Sequence, residues 1–232
     1  MKKDFKIIGF DADDTLWVNE PYYRDTEDLF CELLSGFQSP EKTSKELFRL
    51  EIKNLKQYGY GAKGFMLSMI ETALLICNNE IEPSIINKII DLGKDLLNKP
   101  VVLLDGIQEL LEKLNKKGYK IIVATKGDLL DQERKLQKSN LEKYFHHIEI
   151  MSDKKESNYL KLLSHLEVNP KDFLMIGNSL KSDIIPVIEI GGYGIHVPYH
   201  TTWSHENIER PETLNNFLAI DTISEISEIL EL

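Results

Sequence analysis

Cysteine, basic charge and long hydrophobic runs are all scarce in this chain, and each shortage excludes a class of protein. Only Cys31 and Cys77 occur, without metal-ligand spacing, so we expect two buried thiols, with a single bridge as the alternative. Lysine and arginine number 28 against 38 acidic residues, and the net charge of −10 argues against a non-specific nucleic-acid binder. No apolar run approaches membrane-spanning length, and the N-terminal one is too short for a signal peptide, so we expect a cytoplasmic protein.

The composition is otherwise that of a globular protein. The 232 residues are 42% hydrophobic and 28% charged, enough for one large domain or for a core with a smaller insertion. The acidic balance is compatible with a phosphorylated small-molecule substrate, because local cations in a pocket outweigh the global field.

The hydrophobic pattern changes period along the chain. Residues 5–10 form a short strand-like run, and from Pro21 to Asn98 the apolar spacing predicts four helices and no strand. After Pro100, strands and helices alternate, which is typical of a mostly parallel sheet covered on both faces. We therefore predict an α/β fold, a doubly wound Rossmann-like core of residues 1–18 and 99–232 with a helical bundle, residues 19–98, inserted after the first strand.

The individual elements after Pro100 follow from periodicity and turn residues. Predicted strands cover 119–124, 148–151, 173–176, 194–197 and 217–220, and predicted helices cover 107–117, 129–139, 157–167, 182–190 and 224–230.

Three carboxylates crowd the end of the first predicted strand, in the segment Phe10-Asp11-Ala12-Asp13-Asp14-Thr15-Leu16. So much negative charge at the exit of a buried strand is unfavourable unless a cation, a proton or a ligand relieves it. Of a pair such as Asp11 and Asp13, one carboxylate can attack phosphorus and the other can handle a proton. The alternative is an acidic turn that caps the next helix, since aspartate and threonine favour that position.

Polar residues also follow the other predicted strands. In open α/β sheets these carboxyl ends share one edge, where ligands bind. We therefore expect several kinds of polar group to converge at this edge: a carboxylate pair, a hydroxyl, an ammonium group and an amide. This convergence favours a functional site over an acidic turn. The additional segments are Thr125-Lys126-Gly127-Asp128, Ser152-Asp153-Lys154-Lys155 and Gly177-Asn178-Ser179 with Ser182 and Asp183.

These segments together resemble the four motifs of the haloacid dehalogenase superfamily, over essentially the whole chain. Asp11 to Thr15 resembles the first motif, Thr125 the second, Lys154 with Tyr159 at its usual offset the third, and Gly177 to Asp183 the fourth. The helical insertion after the first motif resembles the family's helical cap, which selects substrate and excludes water.

The resemblance implies roles for the matching residues. Asp11 would be the nucleophile that forms an aspartyl-phosphate, and Asp13 the general acid and then the base that activates water. Thr125 and backbone N–H groups near Lys126 would hold the phosphoryl oxygens. Lys154 would neutralise developing charge, with Lys155 as the alternative.

The resemblance also implies a magnesium cofactor. Its ligands would be the Asp11 carboxylate, the Asp13 backbone carbonyl, Asn178 and Asp183. This chain departs from the family at Asn178, where an acid is common, so that one contact would be a neutral amide.

An acid at position 13 distinguishes between the chemistries of the superfamily. A halide leaves without protonation, whereas an alkoxide needs a proton, so Asp13 favours a phosphatase over a dehalogenase. We expect a Mg²⁺-dependent phosphatase acting on a small phosphorylated metabolite. A phosphomutase would share the same core residues, and a non-catalytic binding protein that keeps the fold is a third possibility.

The segment Val197 to Glu206 is rich in aromatic and histidine residues and follows a predicted strand. A zinc site built from His196, His200 and His205 is one interpretation. A surface loop packed by Tyr199 and Trp203 is the interpretation that we prefer.

Overall fold

Six parallel strands form a single sheet in the computed structural model, in the order β3-β2-β1-β4-β5-β6. The structure describes residues 5–209 and 215–232. The strands are β1 (Ile7–Phe10), β2 (Lys120–Lys126), β3 (His147–Met151), β4 (Phe173–Gly177), β5 (Tyr193–His196) and β6 (Phe217–Ala219). The helices are α1 (Glu20–Leu33), α2 (Pro40–Tyr58), α3 (Ala62–Ile76), α4 (Pro83–Leu97), α5 (Ile107–Lys116), α6 (Leu129–Ser139), α7 (Glu156–His165), α8 (Ile185–Glu189) and α9 (Ile226–Ile229).

The first strand lies in the middle of the sheet, although it is separated from its partners in sequence by four helices. Phe10 is paired with Val123 of β2 on one side and with Ile176 of β4 on the other. The chain therefore leaves β1 at the point where the strand order reverses, which is where open α/β sheets bind ligands. This topology places Asp11 between the carboxyl ends of β2 and β4.

Alternate residues of β1 pack on opposite faces of the sheet, as the period of a strand requires. Ile8 and Phe10 belong to the hydrophobic cluster that includes Leu111 of α5. Ile7 belongs to a second cluster, with Tyr159 and Leu162 of α7. Helices therefore cover both faces, and the fold is the predicted α/β class with all five strand pairs parallel.

The chain folds as two compact units. One contains the residues up to Val18, Val101–Lys126 and the residues from Glu133 onward, and the other contains Asn19–Pro100 and Gly127–Gln132. The second unit holds α1 to α4, and its own core includes Phe30, Leu47 and Met69. The sequence pattern did not predict that residues 127–132 group with these helices.

The predicted elements differ from the structure mainly at their ends. β2 continues through Lys126, because Lys126 is still paired with Met151 of β3. The helix predicted over 182–190 begins instead as a π-helical turn, Leu180–Ile184, followed by the short α8. The Ser179 hydroxyl accepts a bond from the Ser182 N–H at 3.0 Å in this turn.

Two further expectations concern the thiols and the membrane. Cys31 and Cys77 are buried free thiols, so the alternative of a bridge is wrong. Among the helices in the described part of the chain, none is long and apolar enough to cross a membrane.

Candidate active site

The turn after β1 carries Asp11 and Asp13. The Asp14 N–H donates to the Trp17 carbonyl at 2.7 Å, which closes the turn. Asp14 has a φ of 61°, in the left-handed region that aspartate tolerates better than most residues. Asp14 thus has a place in the backbone of the turn, although the sequence assigned it no role.

Lys154 joins the first and fourth sequence motifs. Its Nζ lies 2.5 Å from Asp11 Oδ1 and 2.6 Å from Asp183 Oδ1, and all three side chains are less than a tenth exposed. The neighbouring Lys155 is exposed and pairs with Asp153 at 2.8 Å. The structure therefore places Lys154, and not Lys155, against Asp11.

Charges in this buried group of three do not balance. Burial raises the pKa of the Asp11 carboxyl to about 7, with the Lys154 ammonium opposing the rise and the Asp183 charge adding to it. Burial also acts to lower the pKa of Lys154, but the two carboxylates outweigh it and hold that pKa well above its usual value. With both carboxylates ionised, the group carries one excess negative charge, which a cation would relieve.

The oxygen donors that the resemblance assigns to the metal are of the kind that a hard divalent cation takes. Asn178 follows β4 next to β1. Its N–H donates to Thr15 Oγ1 at 3.1 Å, and its Oδ1 accepts from the Thr15 hydroxyl at 3.3 Å. The Asp11 carboxylate, the Asp13 carbonyl and the Asn178 side-chain oxygen are all donors that Mg²⁺ accepts, and Mg²⁺ keeps several waters besides. Within residues 5–209 and 215–232, no group of three His, Cys, Asp or Glu side chains is arranged to hold a metal, so the fit depends on this mixed set.

Asp183, the fourth predicted metal ligand, has hydrogen bonds on both carboxylate oxygens. Oδ1 accepts from Lys154, and Oδ2 accepts from the Ser179 N–H at 2.9 Å. Gly177 makes room for it, because a Cβ at that position would lie 2.3 Å from Asp183 Oδ2. These contacts orient Lys154 and the loop after β4, and the role of Asp183 as a metal ligand stays a prediction.

The Asp13 carboxylate accepts two hydrogen bonds on the same oxygen, Oδ1. The Trp17 indole Nε1 donates at 2.8 Å, and Lys135 Nζ of α6 donates at 2.9 Å. Trp17 is 1% exposed. Asp13 is thus held by one aromatic and one cationic donor.

Thr125 and Lys126 end β2 at the same edge of the sheet. Thr125 is 1% exposed, and its hydroxyl lies 3.5 Å from the Lys126 carbonyl oxygen. The Lys126 ammonium donates to Ser182 Oγ at 2.8 Å and forms an ion pair with Glu206. The Lys126 side chain is therefore engaged by the protein itself, which leaves the backbone N–H as its expected contribution to a phosphate site.

Glu206 lies at the centre of this second polar group. Its Oε2 accepts hydrogen bonds from Ser179 Oγ at 2.5 Å and from Ser182 Oγ at 2.6 Å. Burial acts to raise the pKa of Glu206, but Lys126 and the two hydroxyls outweigh it and lower that pKa to about 2. This carboxylate attaches the segment after β5 to the edge of the sheet.

Lys135 and Glu206 were not among the predicted site residues. The signal for Glu206 is weak but present, since it lies in a segment that follows a strand of the same sheet. For Lys135, the sequence offers only a polar residue on an amphipathic helix, 122 positions from Asp13.

The three candidate histidines, His196, His200 and His205, all lie in the described part of the chain and do not form a zinc site. His196 Nε2 lies 2.9 Å from the Asn178 carbonyl oxygen, and His205 Nε2 lies 3.1 Å from Lys181 Nζ. The rings of Trp203 and His205 pack with centroids 4.8 Å apart. These contacts favour the packed loop.

The chain belongs to the family of haloacid dehalogenase-like hydrolases, whose model matches residues 5–191. The similarity therefore extends from β1 through α8 and includes every predicted site residue. No curated protein matches the chain.

Solved structures show the same fold. A haloacid dehalogenase-like hydrolase from Xanthomonas campestris is 36% identical, with a TM-score of 0.87 over 99% of this chain and 92% of that one. A protein of the family from Bacillus subtilis, with magnesium bound, is 17% identical, with a TM-score of 0.68 over 99% of this chain and 100% of that one. A 2-haloacid dehalogenase from Pseudomonas syringae is also 17% identical, with a TM-score of 0.65 over 98% of both chains.

Proposed function

We propose that this hydrolase is a Mg²⁺-dependent phosphatase that acts on a small phosphorylated metabolite through an aspartyl-phosphate. The observation that carries the proposal is the pairing of the buried Asp11 carboxylate with the Lys154 ammonium at 2.5 Å. A second, half-buried carboxylate, Asp13, follows Asp11 by two residues. A nucleophile and a proton-transfer group at this spacing suit the cleavage of a phosphate monoester.

The first step forms the covalent intermediate. An Asp11 oxygen attacks phosphorus, the bond between phosphorus and the ester oxygen breaks, and Asp13 gives its proton to that leaving oxygen. Lys154 holds the attacking carboxylate in place, and the Thr125 hydroxyl and the Lys126 N–H bind phosphoryl oxygens.

The second step regenerates the enzyme. Asp13, now ionised, takes a proton from a water molecule, whose oxygen attacks phosphorus. The bond between phosphorus and Asp11 breaks, which releases inorganic phosphate and the free carboxylate.

Asp11, the Asp13 carbonyl and Asn178 would hold Mg²⁺. When bound, this ion would supply positive charge that allows an anionic carboxylate to approach an anionic phosphate. That the Bacillus subtilis protein of the same fold binds magnesium supports magnesium as the cofactor.

A dehalogenase is the alternative that the Pseudomonas syringae structure raises. Asp13 argues against it, because halide departure needs no general acid. The two donors on Asp13 Oδ1 support the same conclusion, since they hold the carboxylate in one orientation.

Hydrolysis of p-nitrophenyl phosphate with and without Mg²⁺ tests the proposal. We expect activity that EDTA abolishes and that Asp11→Asn lowers by a factor of about 10³ or more. Asp105→Asn, the same chemical change at an exposed carboxylate, serves as the control and retains full activity. An activity that neither EDTA nor Asp11→Asn alters, or release of halide from 2-chloropropionate with no phosphatase activity, would refute the proposal.

A further inference from the structure

Two side chains that the family motifs do not include determine how Asp13 is oriented. Lys135 Nζ and Trp17 Nε1 lie 2.9 Å and 2.8 Å from the same atom, Asp13 Oδ1. A carboxylate oxygen has two lone pairs, so two N–H donors occupy both. A proton on this carboxyl group must then be carried by Oδ2.

The Trp17 donor is fixed by the backbone around it. Its carbonyl accepts from the Asp14 N–H, and the next residue, Val18, donates to the Val102 carbonyl at 2.9 Å. The indole is also packed in the hydrophobic cluster of the sheet unit. A rigid donor on one side restricts the orientation of the Asp13 carboxylate.

The Lys135 donor supplies the charge. Its side chain is 18% exposed and that of Asp13 is 24% exposed, so both groups are partly shielded from water. Charge-assisted hydrogen bonds are shorter and stronger than neutral ones, and one of them restricts rotation of the carboxylate further.

We propose that Lys135 is a positioning residue for proton transfer, which acts with Trp17 to present Oδ2 of Asp13 to the leaving-group oxygen. The inference rests on the proposed phosphatase function and assigns Lys135 to the step that cleaves the ester. The rate of hydrolysis therefore depends on Lys135 for substrates with a basic leaving group.

Two aryl esters distinguish this role from a merely structural one. p-Nitrophenolate leaves from p-nitrophenyl phosphate as a stable anion, whereas phenol has a pKa of about 10, like tyrosine, and needs the proton. For Lys135→Met we expect kcat/KM to fall about tenfold or more with phenyl phosphate, and less than about threefold with p-nitrophenyl phosphate. Lys135→Arg, which keeps a cationic donor, restores part of the loss.

Two further variants complete the design. Lys138→Met removes an exposed lysine from the last turn of the same helix and leaves both rates unchanged. Trp17→Phe removes the other donor but keeps an aromatic ring, and it shows the same selective loss with phenyl phosphate. It also tests the inference if Lys135→Met fails to fold.

The outcomes separate this inference from the proposed function. Equal losses with both esters, or no loss with either, in a wild-type enzyme that needs Asp11 and Mg²⁺ would refute the role of Lys135 alone. A wild-type protein that hydrolyses neither ester would overturn the proposed phosphatase function itself.

Discussion

The substitution Lys154→Met would leave two buried carboxylates, Asp11 and Asp183, without the ammonium group that lies between them at 2.5 Å and 2.6 Å. Methionine fills a similar volume, so the change removes charge rather than packing. Removal of one partner from a buried ion pair costs about 3–5 kcal/mol, because the other charge stays buried and uncompensated. We expect a loss of that size in the free energy of unfolding.

Urea unfolding followed by tryptophan fluorescence measures this loss selectively. Trp17 and Trp203 are the two tryptophans of the chain, and both belong to the unit that contains the sheet. In a thermal scan the same loss lowers Tm by roughly 6–20 °C, since 1 kcal/mol corresponds to about 2–4 °C in a chain of this size.

Lys155→Met is the matched control. The Lys155 side chain is 69% exposed, and its pair with Asp153 lies at the surface, where an ion pair contributes about 1 kcal/mol or less. The double variant Lys154→Met with Asp183→Asn loses no more stability than Lys154→Met alone, because the second change removes one of the stranded charges. Equal stabilities for Lys154→Met and Lys155→Met would refute the reasoning.

Three more predictions concern stability. Glu206→Gln lowers the free energy of unfolding at pH 7 by about 3 kcal/mol, because the pKa of Glu206 beside Lys126 is about 2 in the folded state. The difference in stability between variant and wild type shrinks as pH falls from 4.5 toward 2. A difference that does not change between pH 7 and pH 3 would contradict this. Gly177→Ala costs about 2 kcal/mol, because its Cβ would displace the Asp183 carboxylate, and a neutral result in the same urea assay would show that the carboxylate moves freely. Burial raises the pKa of Glu20 to about 7, so wild-type stability falls as pH rises from 4.5 to 7. Glu20→Gln therefore raises the free energy of unfolding at pH 8 by about 3 kcal/mol and changes it little at pH 4.5. Glu20 lies in the helical unit, which contains no tryptophan, so far-UV circular dichroism measures this change, and a gain at pH 4.5 equal to that at pH 8 would contradict it.

The sequence predicted the α/β fold and the edge of the sheet where the site lies. Parallel strands end at a common edge, so Asp11 after β1 and Asn178 after β4 could be placed at the same edge of the sheet from the strand pattern. That β1 and β4 are neighbours is shown by the structure. The choice of Lys154 over Lys155 came from its offset to Tyr159, which is fully buried and donates to the Ser182 carbonyl at 3.0 Å.

Side-chain partners over long sequence distances could not be predicted in the same way. Lys126 was placed at the phosphate site by the resemblance, through its backbone N–H, and the sequence indicated no partner for its ammonium. Its ammonium pairs with Glu206, 80 residues later, a contact that depends on how the segment after β5 returns to the sheet. Neither hydrophobic period nor turn chemistry encodes that return.

The distribution of charge at the edge of the sheet explains why a cation would be needed at Asp11 in particular. Two carboxylates at this edge each form an ion pair with a lysine of their own, Asp13 with Lys135 and Glu206 with Lys126. Lys154 is shared by Asp11 and Asp183, so with both of these carboxylates ionised this buried group carries one excess negative charge. A phosphate dianion approaching Asp11 adds to this repulsion. A divalent cation there would turn the local charge from one negative to one positive, so the electrostatics favour a requirement for Mg²⁺ already at substrate binding, before any proton is transferred.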